Sequence, residues 1–291
     1  MRFKLVCLFL LSGVLVGCSS LTSLYFVPRT VWIQTPQDVG LVYEDVYLTT
    51  ADDITVHAWW IPAQQDGVLE HNEEQQADAP VVLYLHGNGE NISSHFRSVA
   101  WLPARGVGVL ALDYRGYGAS EGRAMMPAVM MDIEAAAVWL KSRAPEQPLV
   151  VLGQSMGAAL AVNFVAAAQH TYSIEALVLD APFSGFPAVA RSALAHSWIG
   201  YLFWPGTLFV PSTWDPVRLA PNIEVPVLVF HSPTDGVIPY NQGKEVYAAL
   251  RSPSCWRDSV GPHIQTFAYP DLKEAAYRFI EAQGCSSFTG D

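Results

Sequence analysis

Three residue types suited to acyl-transfer chemistry occur along this chain in a fixed order: a serine between glycines, then an aspartate, then a histidine. Ser155 lies in Gly153-Gln154-Ser155-Met156-Gly157, after the apolar run 149–152 and before a stretch rich in small residues. The pattern reads as a strand turning sharply into a helix. Such a turn forces the serine into a strained backbone conformation and leaves its hydroxyl exposed at the tip. Glycines flank it because the strand and helix backbones approach too closely for side chains. A serine hydroxyl is a poor nucleophile at neutral pH and needs a neighbouring base. The base needs a carboxylate that fixes its tautomer and stabilises its charged form.

The later residues can complete that relay. Asp235 sits in His231-Ser232-Pro233-Thr234-Asp235-Gly236-Val237-Ile238-Pro239, in the turn leaving an apolar run over 225–230. Asp215, in Trp214-Asp215-Pro216, reads better as turn chemistry, and Asp180 at the end of an earlier strand is a weaker rival. His263, in Gly261-Pro262-His263-Ile264, is the sole histidine after Asp235. Histidines 57, 71, 95, 170, 196 and 231 precede the acid and fit no slot of this order. An oxyanion would need two backbone N–H donors. Met156, after the serine, is one candidate. Asn88, in the loop His86-Gly87-Asn88-Gly89-Glu90-Asn91, is the other, with His86 expected to be structural.

These residues must be held by strands and helices in alternation. Segments 42–48 and 55–61 read as an opening antiparallel pair, and 64–79 as a polar, acidic loop. Apolar runs at 81–85, 107–112, 149–152, 176–179 and 225–230 read as strands buried on both faces. Helices are expected after Pro127, from the serine to about 168, over about 241–250 and over about 272–282. Strand–helix alternation implies an α/β fold with a mostly parallel central sheet and helices on both faces. Segment 184–214 breaks the alternation and is aromatic, with Phe186, Trp198, Tyr201, Phe203, Trp204, Phe209 and Trp214. It is either a helix and loop packed on the core or a short apolar cap over the serine.

With 291 residues, 51% of them hydrophobic, the chain can bury one large core. A net charge of −11, with no run of Lys or Arg, argues against a nucleic-acid partner. No cluster has metal-ligand spacing, and no organic cofactor is implied.

The N-terminus is of another kind. Arg2 and Lys4 precede an apolar run over 5–16, which is short for a bilayer span, and Leu15-Val16-Gly17-Cys18-Ser19 follows. This resembles a bacterial lipoprotein signal in which Cys18 becomes the lipid-modified first residue. The organisation expected is a signal peptide over 1–17, a lipid-anchored tether over 18–40 and a catalytic domain over 41–291. The resemblance implies export and membrane anchoring, on the periplasmic side of an outer membrane where the cell has one. Cys255 and Cys285 could then form one disulfide, or remain two thiols.

Taken together, His86-Gly87-Asn88-Gly89, Asp113-Tyr114-Arg115-Gly116-Tyr117-Gly118, Gly153 to Gly157, the segment around Asp235, and His263 resemble the α/β-hydrolase superfamily. The likeness is to small-cap serine hydrolases such as monoglyceride lipases, acyl-protein thioesterases and serine aminopeptidases. It implies a triad of Ser155, Asp235 and His263, with Asn88 and Met156 around the oxyanion. It further implies a small acyl-ester or thioester substrate and no cofactor. Two departures stand out: Gln154 replaces a histidine often found before the serine, and the strand expected before His263 is weak, since 255–260 contains Arg257 and Asp258. An aminopeptidase, or a non-catalytic binding lipoprotein on the same fold, are the alternatives.

Overall fold

The computed structural model describes residues 22–65, 68–69, 79–194, 206–207 and 210–288. Its frame is an eight-stranded sheet: β1 (Glu44–Thr49), β2 (Thr55–Ile61), β3 (Val81–Leu85), β4 (Gly108–Leu112), β5 (Leu149–Gln154), β6 (Ile174–Asp180), β7 (Val227–His231) and β8 (Ser254–Asp258). The strands lie in the order β1-β2-β4-β3-β5-β6-β7-β8. Only β2 pairs antiparallel, to β1 and to β4. The other neighbours are parallel.

Alternation along the strands divides the core in two. Val81, Leu83 and Leu85 of β3 join one apolar cluster, whereas Val82 and Tyr84 join the other. The first is covered by α1 (Ala128–Arg143), α2 (Met156–Ala168) and α4 (Tyr240–Ala249), through residues such as Ile133, Leu160 and Val246. The second is covered by α5 (Pro270–Ala282) through Phe279 and Ile280, and by the loop carrying Phe96 and Leu102. Between α2 and α4 comes α3 (Phe186–Leu194). β3 has β4 on one side and β5 on the other, so chain order reverses there. The crevice beyond the C-terminal ends of β3 and β5 is where open α/β sheets bind ligands.

Three expectations need adjustment. Segment 255–260 does contain a strand, β8, in register with β7 from Ser254 opposite Val227 to Asp258 opposite His231. It is the sheet edge, where Arg257 and Asp258 stay exposed and charge is tolerated. The polar loop contains a small hairpin, Gln64–Gln65 with Val68–Leu69. Finally, residues 22–40 are packed on the body, not strung out as a tether. Thr22, Ser23 and Phe26 are buried, and the stretch from Thr22 to Ile33 is pinned by hydrogen bonds to residues 88–93 and 117–126. Cys18 and residues 1–17, on which the signal expectation rests, lie outside the described residues, as do Trp198, Tyr201, Phe203, Trp204 and Phe209. Among the described residues no helix is long and apolar enough to cross a membrane.

Cys255 and Cys285 are joined, with their Cα atoms 5.8 Å apart and a sequence separation of 30. The closed loop contains His263. Closing a loop of that length removes about 3–4 kcal/mol of unfolded-state entropy. Cys285→Ser should therefore lower unfolding free energy by about that amount in urea titrations, and an unchanged midpoint would contradict the assignment.

Candidate active site

β5 ends at Gln154, and the next residue adopts φ 53° and ψ −113°. A non-glycine residue held there stores about 1–3 kcal/mol. The surrounding backbone leaves no room to relax. A Cβ on Gly153 would lie 2.3 Å from the carbonyl oxygen of Gly157, and one on Gly157 would lie 1.9 Å from that of Leu85. The Ser155 amide donates to the Asp180 carbonyl at 2.8 Å, which ties the turn to β6. Ser155 is thus lodged between the ends of β3 and β6.

The structure brings Asp235 and His263 to the same point. Imidazole Nε2 of His263 is 2.9 Å from Ser155 Oγ, and Nδ1 is 2.7 Å from Asp235 Oδ2. The other carboxylate oxygen, Oδ1, accepts the amides of Val237 at 2.8 Å and Ile238 at 2.9 Å. With the acid side chain 1% exposed and the imidazole 15% exposed, water competes little for either. Burial pushes the Asp235 carboxyl up. The hydrogen bond and charge of His263, joined by the two amides, outweigh it and hold the carboxyl below the usual range. An ionised Asp235 accepting from Nδ1–H leaves Nε2 free to take the serine proton. The arrangement can therefore generate a nucleophilic alkoxide without a cofactor. Among the described residues no group of three or more His, Cys, Asp or Glu could hold a metal ion.

Asn88 lines the same cavity as Ser155 and Met156. Its side chain is fully engaged: Oδ1 accepts from the Val27 amide at 2.9 Å and the Tyr117 hydroxyl at 2.7 Å, and Nδ2 donates to the Tyr25 carbonyl at 2.6 Å. Neither the Asn88 amide nor that of Met156, at the start of α2, has a hydrogen-bond partner among the described residues. Both remain available to a developing oxyanion. His86 is buried, stacks on Tyr114 at 4.4 Å between ring centroids, and is held by burial well below the usual histidine range.

The cavity at Ser155 holds about 500 Å³ and its described lining carries no charged side chain. Phe183, Val237 and Ile238 supply one part of its wall. Val189, Ala190, Leu194 and Val210 bring in the described part of segment 184–214. The remaining wall, Leu24, Tyr25 and Val27, comes from the N-terminal segment, which the sequence reading had assigned to a tether. A short run of apolar residues ahead of the first strand carries no mark that it folds back onto a distant loop.

A second set of residues was also missed. Asp180 is buried, and its Oδ2 accepts from Gln154 Nε2 at 2.7 Å while Oδ1 accepts from the Thr266 hydroxyl at 2.6 Å. One carboxylate thus joins the residue before Ser155 to the loop three residues beyond His263. The sequence signal was Gln154 itself: an amide can donate to a carboxylate and still present its oxygen to Tyr84, 2.5 Å away. Asp180 did not enter as the acid because Asp235 holds the imidazole.

With the fold and geometry in place, comparison with known proteins is informative. A family model described as serine aminopeptidase, S33, matches residues 75–214. The uncharacterised protein YfhR of Salmonella typhi is 30% identical over 95% of this chain and 91% of its own length. The lysophosphatidylserine lipase ABHD12 of Rattus norvegicus is 28% identical over 80% of this chain and 63% of its own. Among solved structures, the Pyrococcus furiosus esterase Pf2001 superposes with a TM-score of 0.71 at 23% identity, covering 89% of this chain and 97% of that one. The chain belongs to the α/β-hydrolase superfamily of serine hydrolases.

Burial pushes the Asp180 carboxyl up to about 6, against the opposing bonds from Thr266 and Gln154. In the unfolded chain the same group titrates near about 3.9. The native state therefore keeps this proton where the unfolded state has lost it, and stability falls as pH rises through that window. Between pH 4 and pH 7, Asp180→Asn should gain roughly 2 kcal/mol relative to the parent protein. Urea titrations across this range check it, and parallel stability curves would contradict it.

Proposed function

We infer that this chain is a membrane-tethered serine hydrolase that cleaves carboxylic esters or thioesters of apolar acyl groups. One observation carries the reading: an unbroken hydrogen-bonded line from Asp235 through His263 to Ser155, opening onto a cavity whose described lining carries no charged side chain. In this account Ser155 Oγ attacks the acyl carbon while His263 Nε2 takes its proton, and Asp235 stabilises the resulting imidazolium. The amides of Asn88 and Met156 receive the oxyanion, and His263 returns the proton to the leaving oxygen or sulfur. Water, activated by the same imidazole, then releases the acyl group from Ser155. The described part of segment 184–214 acts as a cap that supplies apolar wall to the acyl chain. The lipase and esterase among its relatives favour this chemistry. The tether is a lipid on Cys18, with the enzyme exported and facing the periplasm from an outer membrane.

The family model's own description favours a second reading, an aminopeptidase. That reaction requires a carboxylate near the substrate's free amine. Glu90, the candidate for that role, is exposed and does not line the cavity. The apolar lining therefore ranks esters ahead of aminoacyl amides.

Steady-state assays separate the two. Short p-nitrophenyl esters should turn over and aminoacyl p-nitroanilides should not. Ser155→Ala should lower ester turnover by about 10⁴- to 10⁶-fold without unfolding the protein. Amide cleavage in place of ester cleavage would reverse the assignment.

A further inference from the structure

The N-terminal segment that lines the cavity also presents apolar side chains to solvent. Leu24 is 77% exposed and Val27 51%, and both border the cavity together with Val237, which is 54% exposed. Val31 (76%), Ile33 (62%) and Trp32 (37%) continue along the segment. This ridge is held in place by its backbone. The Val31 carbonyl accepts from Asn91 Nδ2 at 2.9 Å, and the Ile33 amide donates to Ser93 Oγ at 2.8 Å. The Trp32 ring lies 5.3 Å from that of His57 in a stacked arrangement. Apolar residues exposed together and fixed by polar bonds beneath them mark an interaction surface.

The chain itself indicates what covers this surface. Thr22, the first described residue, is four positions after Cys18 and six after the apolar run over 5–16. Four residues reach at most about 14 Å. A chain held in a bilayer at Cys18 therefore keeps Leu24 and the cavity mouth close to the lipid. Charge agrees with this. On a chain of net charge −11, residues 22–37 carry a single charged side chain, Arg29. Such a strip has little to repel it from a membrane, whereas the acidic remainder stays in water.

We propose that Leu24, Val27, Val31, Trp32, Ile33 and Val237 form a docking face for a lipid bilayer, which brings the cavity mouth onto the membrane so that acyl substrates enter from the lipid phase. The proposal rests on the membrane-tethered reading above, and takes the ridge to be more than a passive spacer. Val31 and Ile33 act in docking alone, since neither lines the cavity.

The test uses the full chain reconstituted with phosphatidylcholine vesicles, with and without dibrominated acyl chains. Brominated lipid should quench tryptophan emission, and Trp32→Phe should remove part of that quenching. Val31→Ser/Ile33→Ser should cut turnover of a long-chain ester dissolved in the vesicles about tenfold. Turnover of soluble p-nitrophenyl butyrate should stay unchanged. Co-flotation with vesicles but identical quenching in Trp32→Phe overturns the docking face and leaves the tether intact. Failure to float overturns both. Loss of all ester turnover with Trp32 still quenched supports docking and removes the esterase reading instead. Equal loss on both esters, or self-association of the parent chain that the double variant abolishes, assigns the ridge to another role and overturns the proposal.

Discussion

The site depends on one steric constraint: the backbone of the turn at Ser155 is wedged between the ends of β3, β5 and β6. Gly153 and Gly157 have no room for a Cβ, and the serine itself occupies a left-handed conformation that an isolated peptide would avoid. The strain persists because the sheet on one side and α2 on the other over-determine the turn. It places the hydroxyl beyond the C-terminal end of the central strand β5 while the start of α2 stays beside the loop after β3. Both amides assigned to the oxyanion are consequences of that closeness. One follows the serine, and the other lies in the loop whose backbone Gly157 touches.

The remaining parts of the relay arrive from farther along the chain and have to be brought to this fixed point. Asp235 leaves β7 in a turn whose own amides saturate one carboxylate oxygen, so the other is free for His263. His263 follows the edge strand β8, which is held by pairing with β7, by the disulfide, and by Trp256 packed on Tyr240 and Tyr247 of α4. The buried carboxylate of Asp180 adds a second tie, linking Thr266 in the histidine loop to Gln154 next to the serine. Ser155 and His263 are thereby referenced to one carboxylate as well as to each other.

Much of this was legible in the residues. The order of serine, aspartate and histidine, the first two after apolar runs, pointed to the three side chains that the fold brings together and to the mostly parallel sheet that holds them, because strand ends and turns leave strong local marks. What stayed hidden was non-local. Strand β8 was obscured because Arg257 and Asp258 break an apolar pattern that an edge strand does not require. Asp180 looked like a spare acid because its partners, Gln154 and Thr266, are 26 and 86 residues away. Residues 22–33 read as a tether because their main bonds to the body are backbone bonds, to side chains such as Asn88 and Asn91, and backbone carbonyls and amides recur in every sequence. The exposure of Leu24, Val31 and Ile33 is likewise a property of the folded surface.

The account's central claim is that Ser155 is a hydroxyl activated by His263 under the control of Asp235. Reaction of the folded full chain with a fluorophosphonate, followed by peptide mass analysis, tests it most directly. One phosphonyl group per chain should be found on Ser155, with the rate collapsing by about 10³-fold or more in His263→Ala. A folded protein that stays unlabelled, or is labelled as fast without the imidazole, would contradict it.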